Sequence, residues 1–115
     1  MAEETYAAPA SAGKAAARGL ALRRALAPSR RAGTPVGIAR ARDLAAGKKL
    51  SKKTIKRMKA YFDRHRVDKQ ASGWKPSEEG YPSKGLQAWL LWGGDSGYRW
   101  AMSKVAQFHR AKNKK

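Results

Sequence analysis

The sequence predicts an all-α protein, in which a small domain of three to four helices lies between a flexible basic N-terminal arm and a short basic C-terminal tail. Three observations predict this class. After residue 34, apolar residues recur at intervals of three and four, most of the periodic segments follow a residue that caps helices well, and Gly or Pro separates them. A chain of 115 residues has room for one compact domain.

Residues 1–34 are rich in Ala, Arg, Ser, Gly and Pro and contain few large apolar residues. The run Lys14 to Ala27 contains helix-forming residues, but Gly19 interrupts it and its apolar face is thin. We therefore expect residues 1–34 to be largely extended or disordered in isolation, whereas the run Lys14 to Ala27 could become helical on a partner. The helical domain is expected to cover residues 35–110, and the basic tail residues 111–115.

The first predicted helix follows Thr34-Pro35, a cap hydroxyl with proline at the first helical position, and it ends near Ala46 before Gly47. The second begins after the N-cap Ser51 and ends near residues 67–69. Its apolar face consists of Ile55, Met58, Phe62 and His65, and its opposite face carries Lys53, Lys56, Arg57 and Arg64.

Residues 73–82 contain Pro76, Gly80 and Pro82 and are predicted to form a loop. Ser83 is placed to cap a third helix over residues 84–92, which is apolar nearly all round and therefore expected to be buried. The pair Gly93-Gly94 ends this helix, and Asp95 is expected to cap a fourth.

The charge of the chain is its most informative compositional feature. Lys and Arg number 26 against 8 Asp and Glu, which gives a formal net charge of +18. Such an excess favours a polyanionic partner, and nucleic acid is the most common one. We expect DNA rather than RNA, with no membrane and no small-molecule substrate. A surface that only confers solubility, or that matches an acidic protein, remains an alternative.

Several kinds of chemistry have no support in the sequence. The chain has no cysteine and two histidines, which excludes thiolate chemistry and zinc sites rich in Cys or His, and we expect no cofactor and no metal. The string Gly94-Asp95-Ser96-Gly97 matches the surroundings of a serine-protease nucleophile, but that chemistry also needs an activating His and a two-barrel β fold. We expect a protein that is not an enzyme.

The candidate nucleic-acid-binding residues come from one helix face and the basic tracts around it. Lysines on such a face suit phosphate as point charges, whereas readers of base edges usually offer Asn, Gln or Arg at the start of a recognition helix. We therefore expect binding to the DNA backbone with low sequence specificity. The candidates are Lys52, Lys53, Lys56, Arg57, Arg64, Arg23, Arg24, Arg30, Arg31, Arg40 and Arg42.

Two stretches also resemble a known type of protein. They are ARARDLAAGKKLSKKTIKRMKAYFDRH (residues 39–65) and GYPSKGLQAWLLWGGDSGYRWA (residues 80–101), and the string AWLLWGGD is the most specific part. Together they resemble a small helical module in proteins encoded by tailed bacteriophages, sometimes beside or within head-morphogenesis proteins. The resemblance implies a phage protein in the virion or the host cytoplasm, and it implies no catalytic residue.

Two functions follow as expectations. The first is a non-enzymatic phage-type protein that binds nucleic acid. The alternative is a structural or assembly protein of the virion, a capsid, neck or tail component whose basic arms contact neighbouring subunits.

Overall fold

A computed structural model of the chain describes residues 4–113, and the side chains of residues 4–112. Over these residues it contains five α-helices and one two-stranded antiparallel sheet, so the predicted helical class is confirmed and the helix count exceeds the prediction by one. The elements are β1 (Thr5–Tyr6), α1 (Ala10–Arg24), α2 (Pro35–Ala45), β2 (Leu50–Ser51), α3 (Lys52–His65), α4 (Lys84–Leu91) and α5 (Gly94–Asn113).

Three of the predicted helix starts are confirmed by side-chain caps. The Thr34 hydroxyl accepts from the Gly37 amide at 3.1 Å at the start of α2. Ser51 accepts from the Thr54 amide at 3.2 Å, and Ser83 from the Leu86 amide at 3.0 Å. Each cap satisfies a backbone amide that has no partner within its helix.

The start of α5 differs from the prediction. This helix begins at Gly94, so Asp95 lies in its first turn and does not cap it. Gly93 and Gly94 both have positive φ, of 115° and 65°, which lets the chain reverse directly from α4 into α5. The Asp95 carboxylate instead accepts from the Trp89 indole at 2.9 Å.

The N-terminal region contains a helix in addition to those expected from the sequence. Ala10–Arg24 is not an extended arm but a helix that packs against α2, α4 and α5. Its contact face is made of the small residues Ala12, Ala16 and Gly19, which are buried. A Cβ at Gly19 would lie 2.9 Å from the Leu90 Cβ. Helices of small residues pack by close backbone approach, and a count of large apolar residues does not detect this.

The C-terminal boundary also moves, because α5 continues to Asn113, beyond the predicted domain end at residue 110. This 20-residue helix is the longest in the described chain, whose extents are 52 × 26 × 21 Å. The predictions for residues 1–3 and 114–115 lie outside the described residues.

Aromatic rings on α3, α4 and α5 form the centre of the core. Phe62 packs edge-on against Trp89, with 4.7 Å between ring centroids, and stacks on Tyr98 at 5.0 Å. Phe62 and Trp89 are among the largest fully buried side chains. This cluster holds α3 with its apolar face inward and its basic face toward solvent.

The segment between α1 and α2 is fixed to the domain by Gln87 of α4, a polar side chain with no exposed surface. Its amide nitrogen donates to the Arg30 and Pro82 carbonyls at 3.2 and 3.0 Å, and its oxygen accepts from the Ala32 amide at 2.8 Å. Because every polar atom of the Gln87 amide has a partner, its burial carries little penalty. The predicted basic arm is therefore docked at residues 30–32 as well as along α1.

Candidate nucleic-acid interface

The exposed face of α3 carries four cations, Lys53, Lys56, Arg57 and Arg64, which we call the basic stripe. None of the four forms an ion pair among the described residues. At 1.5 Å rise per residue the stripe extends about 16 Å along α3. It opposes a face on which Ile55, Met58 and Phe62 are buried, so these charges are held on a rigid element and directed outward.

The middle of the stripe contains Ala60, which is exposed. At 100° per residue Ala60 lies between Lys56 on one side and Arg57 and Arg64 on the other. Ala60 is therefore a small, uncharged residue among the cations of the stripe.

One margin of the stripe is neutralised within the chain. Lys59 donates to Asp63 at 2.6 Å, and the Tyr98 hydroxyl donates to the other oxygen of Asp63 at 2.6 Å. The hydrogen bond from Lys59, followed by the one from Tyr98, lowers the pKa of Asp63 from its ordinary value. Lys52, at the N-terminus of α3, is exposed and places its ammonium over the Phe108 ring at 5.3 Å. Its charge therefore also stabilises the α3–α5 contact.

The arginines predicted from the N-terminal region divide into two groups. The Arg23 guanidinium donates to the Ala32 carbonyl at 2.8 Å, and Arg31 donates to the Leu26 carbonyl at 3.0 Å and the Arg24 carbonyl at 3.3 Å. These two side chains hold the end of α1 and the following turn in place. Arg24 and Arg30 are exposed, and Arg30 makes one long contact, 3.4 Å, to the Tyr81 carbonyl.

The two arginines predicted from α2 also differ. Arg42 is exposed. The side chain of Arg40 is only 13% exposed and pairs with Asp43 at 3.3 Å, and its Nε is buried without a hydrogen-bond partner among the described residues. Arg40 is therefore mainly a structural residue of α2, because its charge is already matched by a carboxylate.

A pocket adjoins the C-terminal end of the basic stripe and was not predicted from the sequence. It has a volume of about 280 Å³, and Arg64 contributes to its lining. Gly33 and Thr34 line it too, so the pocket joins the stripe to the segment that carries Arg30 and Arg31. The spacing of Tyr61 and His65 was visible in the sequence, but Trp92 meets them only through the packing of α3 beside α4.

A second charged cluster, around Lys69 and Asp95, is structural. Lys69 pairs with Asp95 at 2.6 Å and lies over the Trp89 ring at 5.0 Å. Burial opposes ionisation of Asp95, but the hydrogen bonds from Lys69 and Trp89 outweigh it and lower the pKa of this carboxyl. The cluster fixes the 3₁₀ turn Arg66–Gln70 against α4 and α5.

Within the part of the chain that the structure describes, no three His, Asp or Glu side chains are grouped closely enough to hold a metal ion. None of the helices in residues 4–113 is long and apolar enough to cross a membrane. A scan against protein-family models finds no match to this chain, and searches of curated proteins and of solved structures find no similar protein.

Proposed function

We propose that this protein is a non-enzymatic DNA-binding protein that contacts the phosphate backbone with little preference for base sequence. The observation that carries the proposal is the basic stripe of Lys53, Lys56, Arg57 and Arg64, four exposed cations on one rigid helix without carboxylate partners among the described residues. Neutralising phosphates with such side chains releases condensed counterions, which drives binding.

The chemistry of α3 supports backbone contact over reading of bases. The helix contains no Asn or Gln, and lysine contributes two of the four cations of the stripe. Lysine binds phosphate as a point charge and carries little geometric discrimination. The exposed Arg24 and Arg30 would add further phosphate contacts.

DNA is favoured over double-stranded RNA by groove geometry. The major groove of B-form DNA admits an α-helix, so a helix face can reach the phosphates at its edges, whereas the major groove of A-form RNA is deep and narrow. DNA is therefore the better match for a protein that presents one helix face to its partner. On the resemblance of residues 39–65 and 80–101 to phage proteins, we further propose that the protein acts in a virion or in the host cytoplasm.

The alternative, a virion assembly protein, depends on basic arms that reach neighbouring subunits. Ala10–Arg24 and residues 30–32 are docked on their own domain, so the described residues leave little free arm for that role. Under the assembly alternative the protein would stay with capsid or tail components after nuclease and high salt, and under our proposal it would be released.

The direct test replaces the basic stripe and measures binding to a labelled DNA duplex by fluorescence anisotropy over a range of salt. If all four side chains contact phosphate, the negative slope of log K against log salt becomes shallower by about 3.6 in K53A/K56A/R57A/R64A. The affinity ratio of wild type to variant then shrinks by about 150-fold between roughly 50 and 200 mM salt.

A matched control distinguishes the effect of cations in the basic stripe from the effect of the total charge of the protein. K75A/K84A/R99A/R110A also removes two lysines and two arginines, all of them exposed and outside α3. We expect this control to retain the wild-type slope. Equal losses in the two variants would assign binding to net charge alone, and salt-independent binding by the wild type would overturn the proposal.

A further inference from the structure

The pocket at the end of the basic stripe lies between α2, α3 and α4. Thr34 and Gly37 line it from the start of α2, Tyr61 and His65 from α3, and Trp92 from the end of α4. Its volume of about 280 Å³ falls near the lower limit for small-molecule sites, so it suits a single ring system.

The wall of this pocket is aromatic. Tyr61 stacks on His65 with 4.6 Å between ring centroids, and on Trp92 at 4.7 Å and an interplanar angle of 9°. Tyr61 is buried, whereas His65 and Trp92 are only half-buried and so keep part of each ring exposed. Exposed aromatic surface beside cations is the arrangement that proteins use to bind unstacked bases.

Two details distinguish this pocket from a packing defect. A Cβ at Gly37 would lie 3.2 Å from the Trp92 Nε1, tighter than an ordinary contact, so the first turn of α2 packs closely against the indole. The Tyr61 hydroxyl is buried without a hydrogen-bond partner among the described residues. Packed cores rarely leave such a group unsatisfied.

We propose that the pocket receives one unpaired nucleobase of a DNA strand whose phosphates lie along the basic stripe, an inference that rests on the proposed function. Arg64 belongs both to the stripe and to the pocket lining, so a strand that follows Lys53, Arg57 and Arg64 arrives at the pocket. A base in a fully paired duplex is stacked between its neighbours and cannot enter. The protein therefore distinguishes DNA by structure, with a preference for bulges, ends and single-stranded junctions.

The test compares three duplexes that share one sequence. The first is fully paired, the second has one bulged nucleotide, and the third has an abasic bulge, which keeps the backbone geometry and removes the base. We expect the bulged duplex to bind about five- to 150-fold more tightly than the abasic one, the range measured for stacking of one base. Equal affinity for the two bulges would overturn the inference.

A variant that fills the pocket tests whether the preference for the bulged base depends on this pocket. Ala88 is half-buried on α4 and lines the pocket, so Ala88→Leu should abolish the preference for the base while it leaves affinity for the fully paired duplex unchanged. Ala106→Leu, at an exposed position of α5, is the matched control and should retain the preference. Thermal unfolding of both variants checks that they fold.

His65→Ala serves as a second variant. It removes one half-buried ring of the pocket wall without filling the pocket, and it should reduce the preference as well. The two possible failures remain distinguishable. Binding of the fully paired duplex without any base preference, or a preference that survives in both pocket variants, overturns this inference and leaves the proposed function intact. Failure of all three duplexes to bind at low salt overturns the proposed function itself.

Discussion

The docking of α1 can be tested by enlarging one glycine. A docked helix and a loose arm predict changes of opposite sign in the stability of the domain. If residues 10–24 were a loose arm, Gly19→Ala would raise helix propensity by up to about 1 kcal/mol and would not lower the stability of the domain. In the structure, Gly19 is buried against α4. The added Cβ would lie 2.9 Å from the Leu90 Cβ and 3.0 Å from the Leu91 backbone nitrogen.

The magnitude follows from these distances. Contacts near 3 Å with a helix backbone cannot be relieved by a rotamer change, so α1 must move away from α4. Overpacking of this kind costs about 1–3 kcal/mol, and the gain in helix propensity offsets part of it. We expect Gly19→Ala to lower the free energy of unfolding by about 1–2 kcal/mol, or the melting temperature by roughly 4–8 °C.

Thermal unfolding followed by circular dichroism measures the effect. Ala21→Leu enlarges an exposed residue of the same helix and should change stability by less than about 0.5 kcal/mol. Gly13→Ala would place a Cβ 2.7 Å from the Leu44 carbonyl oxygen of α2 and should destabilise through a second, independent contact. A Gly19→Ala protein as stable as wild type, or more stable, would refute the docking of α1.

Two further predictions concern the polar contacts that hold the domain together. Gln87→Leu removes the hydrogen-bond partner of the Ala32 amide and of the Arg30 and Pro82 carbonyls. It should lower the free energy of unfolding, measured in urea, by about 2–5 kcal/mol. Gln107→Leu, on the exposed face of α5, is the control and should change this free energy little. The lowered pKa values of Asp63 and Asp95 in the folded state mean that their contribution to stability is present above the ordinary carboxyl pKa and is lost as the pH falls through the folded values. Melting temperature should therefore fall with acidification below about pH 4. D63N/D95N should be slightly less stable at neutral pH, with a flatter profile, because both carboxylates are exposed. Parallel profiles for variant and wild type would contradict this assignment.

Part of the site was predictable from the sequence alone. The basic stripe follows from the 100° spacing of α3, since the residues opposite Ile55, Met58 and Phe62 must face outward wherever that helix packs. The roles of Arg23, Arg31 and Arg40 were not predictable. A guanidinium that binds a main-chain carbonyl or a neighbouring carboxylate has the same sequence signature as one in solvent.

The pocket also could not be predicted from the sequence, because it depends on contacts between helices. Tyr61 and His65 are one helical turn apart and were placed on or beside the apolar face of α3, but their stacking partner Trp92 comes from another helix. Gly37 matters only because Trp92 lies against it. Neither relation leaves a pattern along the chain.

The sequence by itself determined the helical class, the capped starts of α2, α3 and α4, and the charge and outward direction of the basic stripe. These features depend on local hydrogen bonding and on the periodicity of large apolar side chains, which neighbouring residues encode. Only the tertiary structure decided that α1 belongs to the domain, because Ala12, Ala16 and Gly19 gain their packing energy from the closeness of a partner backbone. That closeness is a property of two helices together, so the basic N-terminal region that looks like a free arm is a structural part of the fold.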